Sequence, residues 1–436
     1  MDSSISMEKL NPIKQYISVY SEYLFLIGLF LTVFFQTFKY YLGILFVAEY
    51  FIFFLLIFYI ILLLLNIEKI HYNKTLFITY FLFLLLLMYG TIGMFFAQHT
   101  ENVIYALFQR FISFLNLLVI SQYLSTKKRI VFFEFILLFC ILWNLGVAVW
   151  EITTLQHLPQ SQFYGKLSFI PTGTFNNENN LAATFFICSP FLFFIKNKTK
   201  DLAIFLLFII LLIITIIGAR LLIFVFLPFF VYVFLKRLPI LNKLIFCLVV
   251  FFAINAIFSK VPLAKEIASR QKMLDFSSFS DETDSQIPGS VEVRFYLMKV
   301  ALEELGNSYG LGIGSGNFER RIHPDREAYL ARIKVAHSLF FDVLATEGII
   351  GFIIVCLIVF SCLRAIVYQT NKSTKSTYFF LSLSEDEKKV MICILFFVVG
   401  TTLIGYYKDN QVFWSILGYS YAIIYNKNDN QLMRAL

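Results

Sequence analysis

Three basic side chains at the ends of apolar segments are the best suited to chemistry: Arg220, Arg294 and His337. The planar guanidinium of arginine can bind a phosphate through two hydrogen bonds, and histidine can act as a base near neutral pH. Each residue also has a simpler interpretation. Arg220 can snorkel to the membrane interface, Arg294 can lie on a solvated helix face, and His337 can be an ordinary hydrogen-bonded interfacial residue.

An amide-rich segment contains Asn176, Asn177, Glu178 and Asn179. It leads into the apolar run that begins at residue 179. Such side chains commonly cap the exposed amide groups of a helix N-terminus, and capping alone is one interpretation. Four amides and a carboxylate between residues 176 and 180 exceed what capping needs. The excess favours hydrogen bonding to sugar hydroxyls.

A glycine-rich segment covers residues 310–318, with Gly312, Gly314 and Gly316 at alternate positions. Glycines permit tight turns and close backbone approach, and successive amide groups can form an anion-binding nest. The spacing matches neither the dinucleotide-binding fingerprint nor the Walker A loop.

The elements that position these residues are membrane spans, because 59% of the 436 residues are hydrophobic and only 15% are charged. Soluble domains are about half apolar and about a quarter charged. Apolar runs bounded by charge predict an all-α integral membrane protein with about twelve transmembrane helices. The predicted spans are roughly 21–37, 41–65, 75–97, 103–124, 130–153, 179–195, 202–218, 220–235, 241–259, 338–363, 390–407 and 411–425.

Basic residues predict the orientation. With both termini inside, the inner segments hold 20 Lys and Arg, whereas the outer ones hold 5 besides the long loop, and cytoplasmic loops carry the excess of these residues. We therefore expect nine spans in residues 1–259, a large external loop at 260–337, and three spans in 338–436. The amino-terminal segment lacks a small-residue cleavage site after a short apolar core, so we expect its first span to be retained.

The external loop holds 11 basic and 11 acidic residues, so the net charge of +8 lies in the topogenic segments. A nucleic-acid binder would concentrate its basic residues on one face; nucleic acid is not an expected partner.

The spacing of Val291, Phe295, Met298, Leu302 and Leu305 predicts an amphipathic helix on the outer membrane surface. A second helix is predicted from Pro324 to the tenth span. All six cysteines lie inside apolar runs, which indicates neither a metal site nor a disulfide framework.

Four of these segments, in this order, resemble motifs of the O-antigen ligase and polysaccharide polymerase (Wzy-type) superfamily. Here the motifs are Gly173 to Asn179, Gly218-Ala219-Arg220, Arg294 with Gly310 to Phe318, and Ala336-His337 with Glu347, Gly348 and Gly351. The chain departs from the family pattern at Glu178, Ala219 and Ser338, where Pro, Ser and Asn are common in the family.

The resemblance implies a GT-C-like bundle in the bacterial plasma membrane with its active site facing outside. It further implies a glycosyltransferase that moves a glycan from an undecaprenyl pyrophosphate carrier to a glycan acceptor, with no metal or other cofactor. His337, Arg220 and Arg294 are then the catalytic candidates. The amide segment and the glycine-rich turn are the substrate-binding candidates, and a chain-length regulator is a further candidate partner.

Three functions remain open from the sequence. A polymerase joins repeat units into a capsule, O-antigen or wall glycan, and the Phe-, Ile-, Lys- and Asn-rich composition favours it. A ligase transfers the glycan to a different acceptor. A transporter or flippase for a lipid-linked glycan is disfavoured, because transporters place substrate groups near the midplane between paired halves, whereas these polar groups gather at the outer face.

Overall fold

The computed structural model describes residues 20–34, 41–42, 45–64, 74–95, 97–175, 177–193, 200–237, 290–318, 339–371, 385–404 and 414–423. Within these ranges the regular structure is helical, apart from one strand pair. The helices are α1 (Tyr20–Phe34), α2 (Val47–Leu64), α3 (Lys74–Ile92), α4 (Thr100–Tyr123), α5 (Lys127–Thr154), α6 (Glu178–Phe193), α7 (Lys200–Ile217), α8 (Arg220–Arg237), α9 (Ser290–Asn307), α10 (Leu339–Asn371), α11 (Glu385–Ile404) and α12 (414–423). Strands β1 (Tyr41–Leu42) and β2 (Leu45–Phe46) pair antiparallel, and a 3-10 turn covers Gly93–Phe95.

The helices coincide with the predicted spans. Among the described residues, eleven of the twelve predicted segments contain a helix, and the predicted ninth span, 241–259, lies outside the described residues. Of the described helices, four are long and apolar enough to cross a membrane, namely α3, α4, α5 and α10. The all-α membrane class is therefore confirmed, while the number of twelve spans and the GT-C-like arrangement stay predictions.

The helices are apolar on their outer as well as their inner faces. On α3, Leu76 and Phe83 are buried, whereas Phe81 and Met88 are exposed. The exposed apolar side chains suit a lipid environment, where an outer face does not need to be polar. The hydrophobic pattern consequently locates the helices without identifying the faces that pack.

Helix α6 is the centre of the bundle. Every residue from 181 to 192 is buried, and the helix contacts α5, α7, α8 and α11. A helix that is apolar on all sides is expected in the interior of a bundle. The amide-rich segment that precedes α6 therefore enters the bundle at its core.

The amphipathic helix predicted in the external loop is present as α9. It packs against α10, but its buried face comprises Leu297, Val300 and Ala301, while Leu302 is 52% exposed. The buried face therefore differs from the predicted one, and it forms one cluster with Ile313 and Ala345. The second loop helix, predicted from Pro324 onward, lies outside the described residues.

Helix α10 is broken at Gly348, which has φ 67° and ψ −163°. The N–H of Ile349 donates to the carbonyl of Gly310 at 2.9 Å, where a continuous helix would direct it to Ala345. The carbonyl of Ala345 instead accepts the N–H of Ile313 at 2.9 Å. The glycine-rich turn (residues 310–318) thus supplies the hydrogen bonds that the break removes from α10.

The close approach of the two backbones requires glycine at the break. A Cβ at Gly348 would lie 2.1 Å from the Gly310 oxygen, and a Cβ at Gly312 would lie 2.5 Å from the Gly348 nitrogen. Both glycines have positive φ, which residues with a side chain adopt at a cost. The turn and the break therefore form one packed unit.

We predict that Gly348→Ala destabilises the protein. The backbone conformation alone costs about 1–3 kcal/mol for a residue other than glycine, and the clash with Gly310 adds to this. The thermal midpoint in detergent should fall relative to wild type. Gly146→Ala on α5 is the matched control, because no neighbouring group lies within 4 Å of the place that a Cβ would occupy there; it should leave the midpoint equal or slightly higher. Equal midpoints for the two variants would contradict the prediction.

Candidate functional site

Of the three catalytic candidates, the structure describes the backbone of two and no part of the third. His337 lies outside the described residues, two positions before α10 begins. Arg220 is the first residue of α8 and Arg294 lies in the first half of α9, and for both the described part is the backbone. Their roles stay predictions.

The Gly218-Ala219-Arg220 motif is a tight turn between α7 and α8. The N–H of Gly218 donates to the carbonyls of Ile214 and Thr215, which ends α7. The carbonyl of Ala219 accepts the N–H of Ile223 at 3.1 Å, which begins α8. The motif therefore holds Arg220 in the first turn of a helix, at a fixed place on the bundle.

A buried cluster of Arg110, Ser315 and Glu347 joins α4, the glycine-rich turn and α10. Arg110 Nη1 lies 2.7 Å from Glu347 Oε1 and donates to Ser315 Oγ at 2.8 Å. The Ser315 hydroxyl in turn donates to Glu347 Oε1. The three residues are 5%, 0% and 2% exposed. We call this group the Arg110 cluster.

A glycine leaves room for the Arg110 cluster at position 351. A Cβ at Gly351 would lie 2.1 Å from the Cβ of Glu347, whereas a Cβ at Gly90 on α3 would lie 2.6 Å from Leu107 Cδ2 and only in ordinary contact, at 3.5 Å, with Arg110 Nη1. Glu347, Gly348 and Gly351 thus have separate physical roles: ion pairing, the helix break, and space for the Glu347 side chain. The E-G-x-x-G-like motif is explained by these contacts.

The Arg110 cluster borders an apolar pocket of about 50 Å³. Its other walls come from α3, α10, α11 and α12, and include Phe83, Val343, Phe397 and Trp414. Charges interact more strongly beside apolar groups than in water. Removing one partner of such a buried pair lowers the free energy of unfolding by about 3–5 kcal/mol, because the remaining buried charge has no opposite charge beside it.

The glycine-rich turn packs against α3 and α4 as well as α10. A Cβ at Gly314 would lie 2.8 Å from the Ala97 Cβ, and one at Gly316 would lie 2.6 Å from the Asn102 oxygen. The N–H of Gly312 donates to Ser308 Oγ and that of Gly314 to the Thr346 carbonyl. Close packing therefore accounts for the three alternate glycines, and their predicted contact with substrate stays a prediction.

The amide-rich segment is anchored by Glu151 of α5, a carboxylate that is 0% exposed. Its Oε2 accepts the N–H groups of Thr172 and Gly173 at 2.8 and 2.6 Å. Its Oε1 accepts the Thr172 hydroxyl and lies 2.9 Å from His157 Nδ1. His157 Nε2 lies 2.8 Å from the Ser168 carbonyl oxygen, so each ring nitrogen faces an oxygen atom.

A second side chain of α5 holds the next residue of the motif. Asn144 Oδ1 accepts both the N–H and the hydroxyl of Thr174, the latter at 2.7 Å. The Asn144 amide donates to the Cys140 carbonyl at 3.0 Å. Glu151 and Asn144 together fix residues 172–174 against α5 before α6 starts.

The polar residues at the start of α6 divide between capping and other contacts. Asn177 Oδ1 accepts the N–H of Asn179 at 2.7 Å, which is the capping role that the sequence allowed. Glu178 accepts a hydrogen bond from Gln162 of the loop between α5 and α6. Asn176 lies outside the described residues. Asn177, Glu178 and Asn179 are half-buried, so they remain reachable from the surface.

Sequence reasoning missed Arg110, Asn144 and Glu151. Each is a polar or ionisable residue inside an apolar run, and an ionisable group at membrane depth is by default a candidate for a function. That signal was present for Arg110 and Glu151. Apart from His157 and Cys140, their partners lie more than 20 residues away in the chain, and a single sequence carries no signal for those pairings.

Among the described residues, no group of three or more His, Cys, Asp and Glu side chains is placed to hold a metal ion.

We predict that Glu151→Gln loosens the amide-rich segment. The amide nitrogen of glutamine cannot accept hydrogen bonds, so donors that now face the carboxylate lose their acceptor, at about 1–3 kcal/mol each. A lower thermal midpoint and faster proteolysis between residues 155 and 177 are the expected results. The control is Glu101→Gln, whose carboxylate is 67% exposed and should be replaceable without effect. Wild-type stability in Glu151→Gln would refute the anchoring role.

The comparison with protein families identifies one match. The O-antigen ligase family model matches residues 202–356, just over a third of the 436 residues. The matched part contains Arg220, Arg294, the glycine-rich turn, His337 and Glu347, whereas Arg110 and Glu151 precede it. No curated protein matches the chain. With the apolar helices, the match indicates a bacterial membrane protein, and it confirms the resemblance that the motifs predicted: residues 202–356 are similar to the O-antigen ligase family.

Proposed function

We propose that the protein is a polymerase that joins undecaprenyl-pyrophosphate-linked oligosaccharide repeat units into a surface polysaccharide at the outer leaflet. The observation that carries this proposal is the family match, which contains Arg220, Arg294 and His337 with their motifs in order. The family implies glycosyl transfer. The lipid-linked donor, the polymerase role and the mechanism below are the proposal.

The proposed step is an inverting transfer. A hydroxyl oxygen of the acceptor sugar attacks the anomeric carbon of the donor, the bond from that carbon to the phosphate oxygen breaks, and undecaprenyl pyrophosphate leaves with the electron pair. His337 takes the hydroxyl proton as general base. Arg220 and Arg294 bind the pyrophosphate and stabilise the charge that develops on it. Two guanidiniums balance the leaving group without a metal ion.

The packing around α10 supports this assignment. His337 is joined to α10 by a single intervening residue, and the first turns of α10 are held by the glycine-rich turn and by the Arg110 cluster. Groups that react must be placed within a few tenths of an ångström of their working position. A rigid support directly behind a catalytic histidine is therefore expected.

The amide-rich segment supports binding of sugars. Glu151 and Asn144 fix the backbone of residues 172–174, directly before it, while Asn177, Glu178 and Asn179 keep part of their surface accessible. Amide and carboxylate groups held on a rigid support suit hydroxyl-rich ligands, since each can donate or accept a directed hydrogen bond. We assign these residues to orienting the donor or acceptor glycan.

Transfer to a different acceptor is the second candidate, because the matched family is described as O-antigen ligase. A ligase would use the same donor and the same three residues, and only its acceptor would differ. Polymerase activity gives a ladder of lipid-linked products that differ by one repeat unit, whereas ligase activity gives a single transfer to an added acceptor. A transporter would leave the glycan unchanged.

We predict that His337→Ala, Arg220→Ala and Arg294→Ala each abolish lengthening of a lipid-linked oligosaccharide by purified protein in detergent. Loss of a general base lowers the rate about 10²–10⁴-fold. Product length is read on a gel, at matched protein levels and with normal membrane insertion.

Matched controls are His99→Ala and Arg364→Ala, which change the same residue types outside the proposed site. Both control variants should lengthen the oligosaccharide at the wild-type rate. Full activity in all three site variants would refute the mechanism, and an unaltered glycan with wild-type protein would refute transfer itself.

We predict a smaller but clear loss of turnover for Arg220→Lys. Lysine keeps the charge but offers a point contact, so it should serve worse than a bidentate guanidinium on the pyrophosphate. Turnover is measured with donor at saturation. Wild-type turnover in this variant would indicate that Arg220 only snorkels to the interface.

A further inference from the structure

We propose that Arg110 of α4 is a positioning residue for the transfer reaction and acts through α10 on His337. The inference rests on the proposed function. Arg110 lies almost a hundred residues before the part of the chain that matches the family, so the match gives it no role.

The first step is the separation of α10 into two parts at Gly348. Residues 339–347 form a short helical segment, and the rest of α10 continues from Ile349. The N–H of Ile349 donates to the Gly310 carbonyl. The carbonyls of Ala345 and Thr346 accept N–H groups of the glycine-rich turn. The direction of residues 339–347 is therefore set by contacts outside α10.

The second step is the charge at the junction. Glu347 is the last residue of the short segment, and its carboxylate is buried. Arg110 Nη1 contacts both Glu347 Oε1 and Ser315 Oγ. One guanidinium therefore joins the short helical segment to the glycine-rich turn. A buried carboxylate must keep a compensating partner, so the end of the segment is held at α4.

The third step follows from the covalent chain. A helical segment whose far end is fixed by an ion pair and by backbone hydrogen bonds has a defined direction up to its first residue, Leu339. His337 lies two positions before Leu339 in the chain. Loss of the ion pair should let residues 339–347 tilt, and a shift of about 1 Å at a reacting group lowers the rate up to about 10²-fold.

The variant that tests this step is Arg110→Gln combined with Glu347→Gln. It removes both charges together, so no unpaired charge is buried, and the two amides can still hydrogen bond. The matched control is Lys389→Gln combined with Glu134→Gln, because that ion pair, at 2.6 Å, joins α11 to α5 instead of α4 to α10.

Hydrogen exchange of the purified full-length protein is the first measurement. The Arg110/Glu347 variant should exchange faster at residues 310–318 and 339–349 than wild type and the Lys389/Glu134 control. Unchanged exchange in these two segments would overturn the positioning role, whether or not the protein is a polymerase.

Turnover in two backgrounds is the second measurement. With His337 present, the Arg110/Glu347 variant should lose about 10- to 100-fold in kcat with little change in donor KM. In the His337→Ala background the same double replacement should cause no further loss in the residual rate, since a positioning residue acts only through the group it positions. An equal loss in both backgrounds would overturn the inference.

The two proposals fail separately. Full activity in His337→Ala refutes the proposed base, and the exchange measurement still decides whether Arg110 positions the start of α10. Arg110→Lys gives a further check, because a lysine charge near Glu347 should restore part of the exchange protection that Arg110→Gln alone removes.

Discussion

The ion pair between Arg110 and Glu347 is the constraint on which the packing of α4, α10 and the glycine-rich turn depends. Two opposite charges are buried beside an apolar pocket, and their separation of 2.7 Å leaves little freedom in the placement of α4 and α10. Burying such a pair is favourable only when the geometry is good and further hydrogen bonds are made. Ser315 supplies one of these bonds, which brings the glycine-rich turn to the same place.

The small residues around this pair follow from it. Gly351 leaves space for the Glu347 side chain, and Gly312 and Gly348 let the turn and the broken helix touch at the backbone. A broken helix in a membrane needs other groups to bond its free N–H and carbonyl groups. Two motifs that are weak in isolation, the glycine-rich turn and E-G-x-x-G, are therefore one structural unit.

The sequence predicts the helices well because the bilayer selects for long apolar runs, and the starts of α4, α5, α6 and α7 agree with the predicted spans within a few residues. It predicts packing poorly. The buried face of α9 differs from the apolar spacing, since Ala301 is buried whereas Leu302 is exposed. Contacts such as Arg110 with Glu347 join residues 237 positions apart, and a single sequence carries no record of that pairing.

The polar residues of the candidate site fall into two groups with different physical constraints. Glu151, Asn144, Glu347 and Arg110 are buried and already hydrogen bonded within the protein, so their partners determine their position and they hold the motifs in place. Residues that bind a glycan must keep part of their surface accessible, as Asn177 and Asn179 do. A buried carboxylate on an apolar helix is costly, and here each of two such carboxylates fixes a loop that leads to a proposed substrate contact. The apolar helices thus present a few charged anchors, and these anchors hold the segments that carry the groups proposed to meet the substrate.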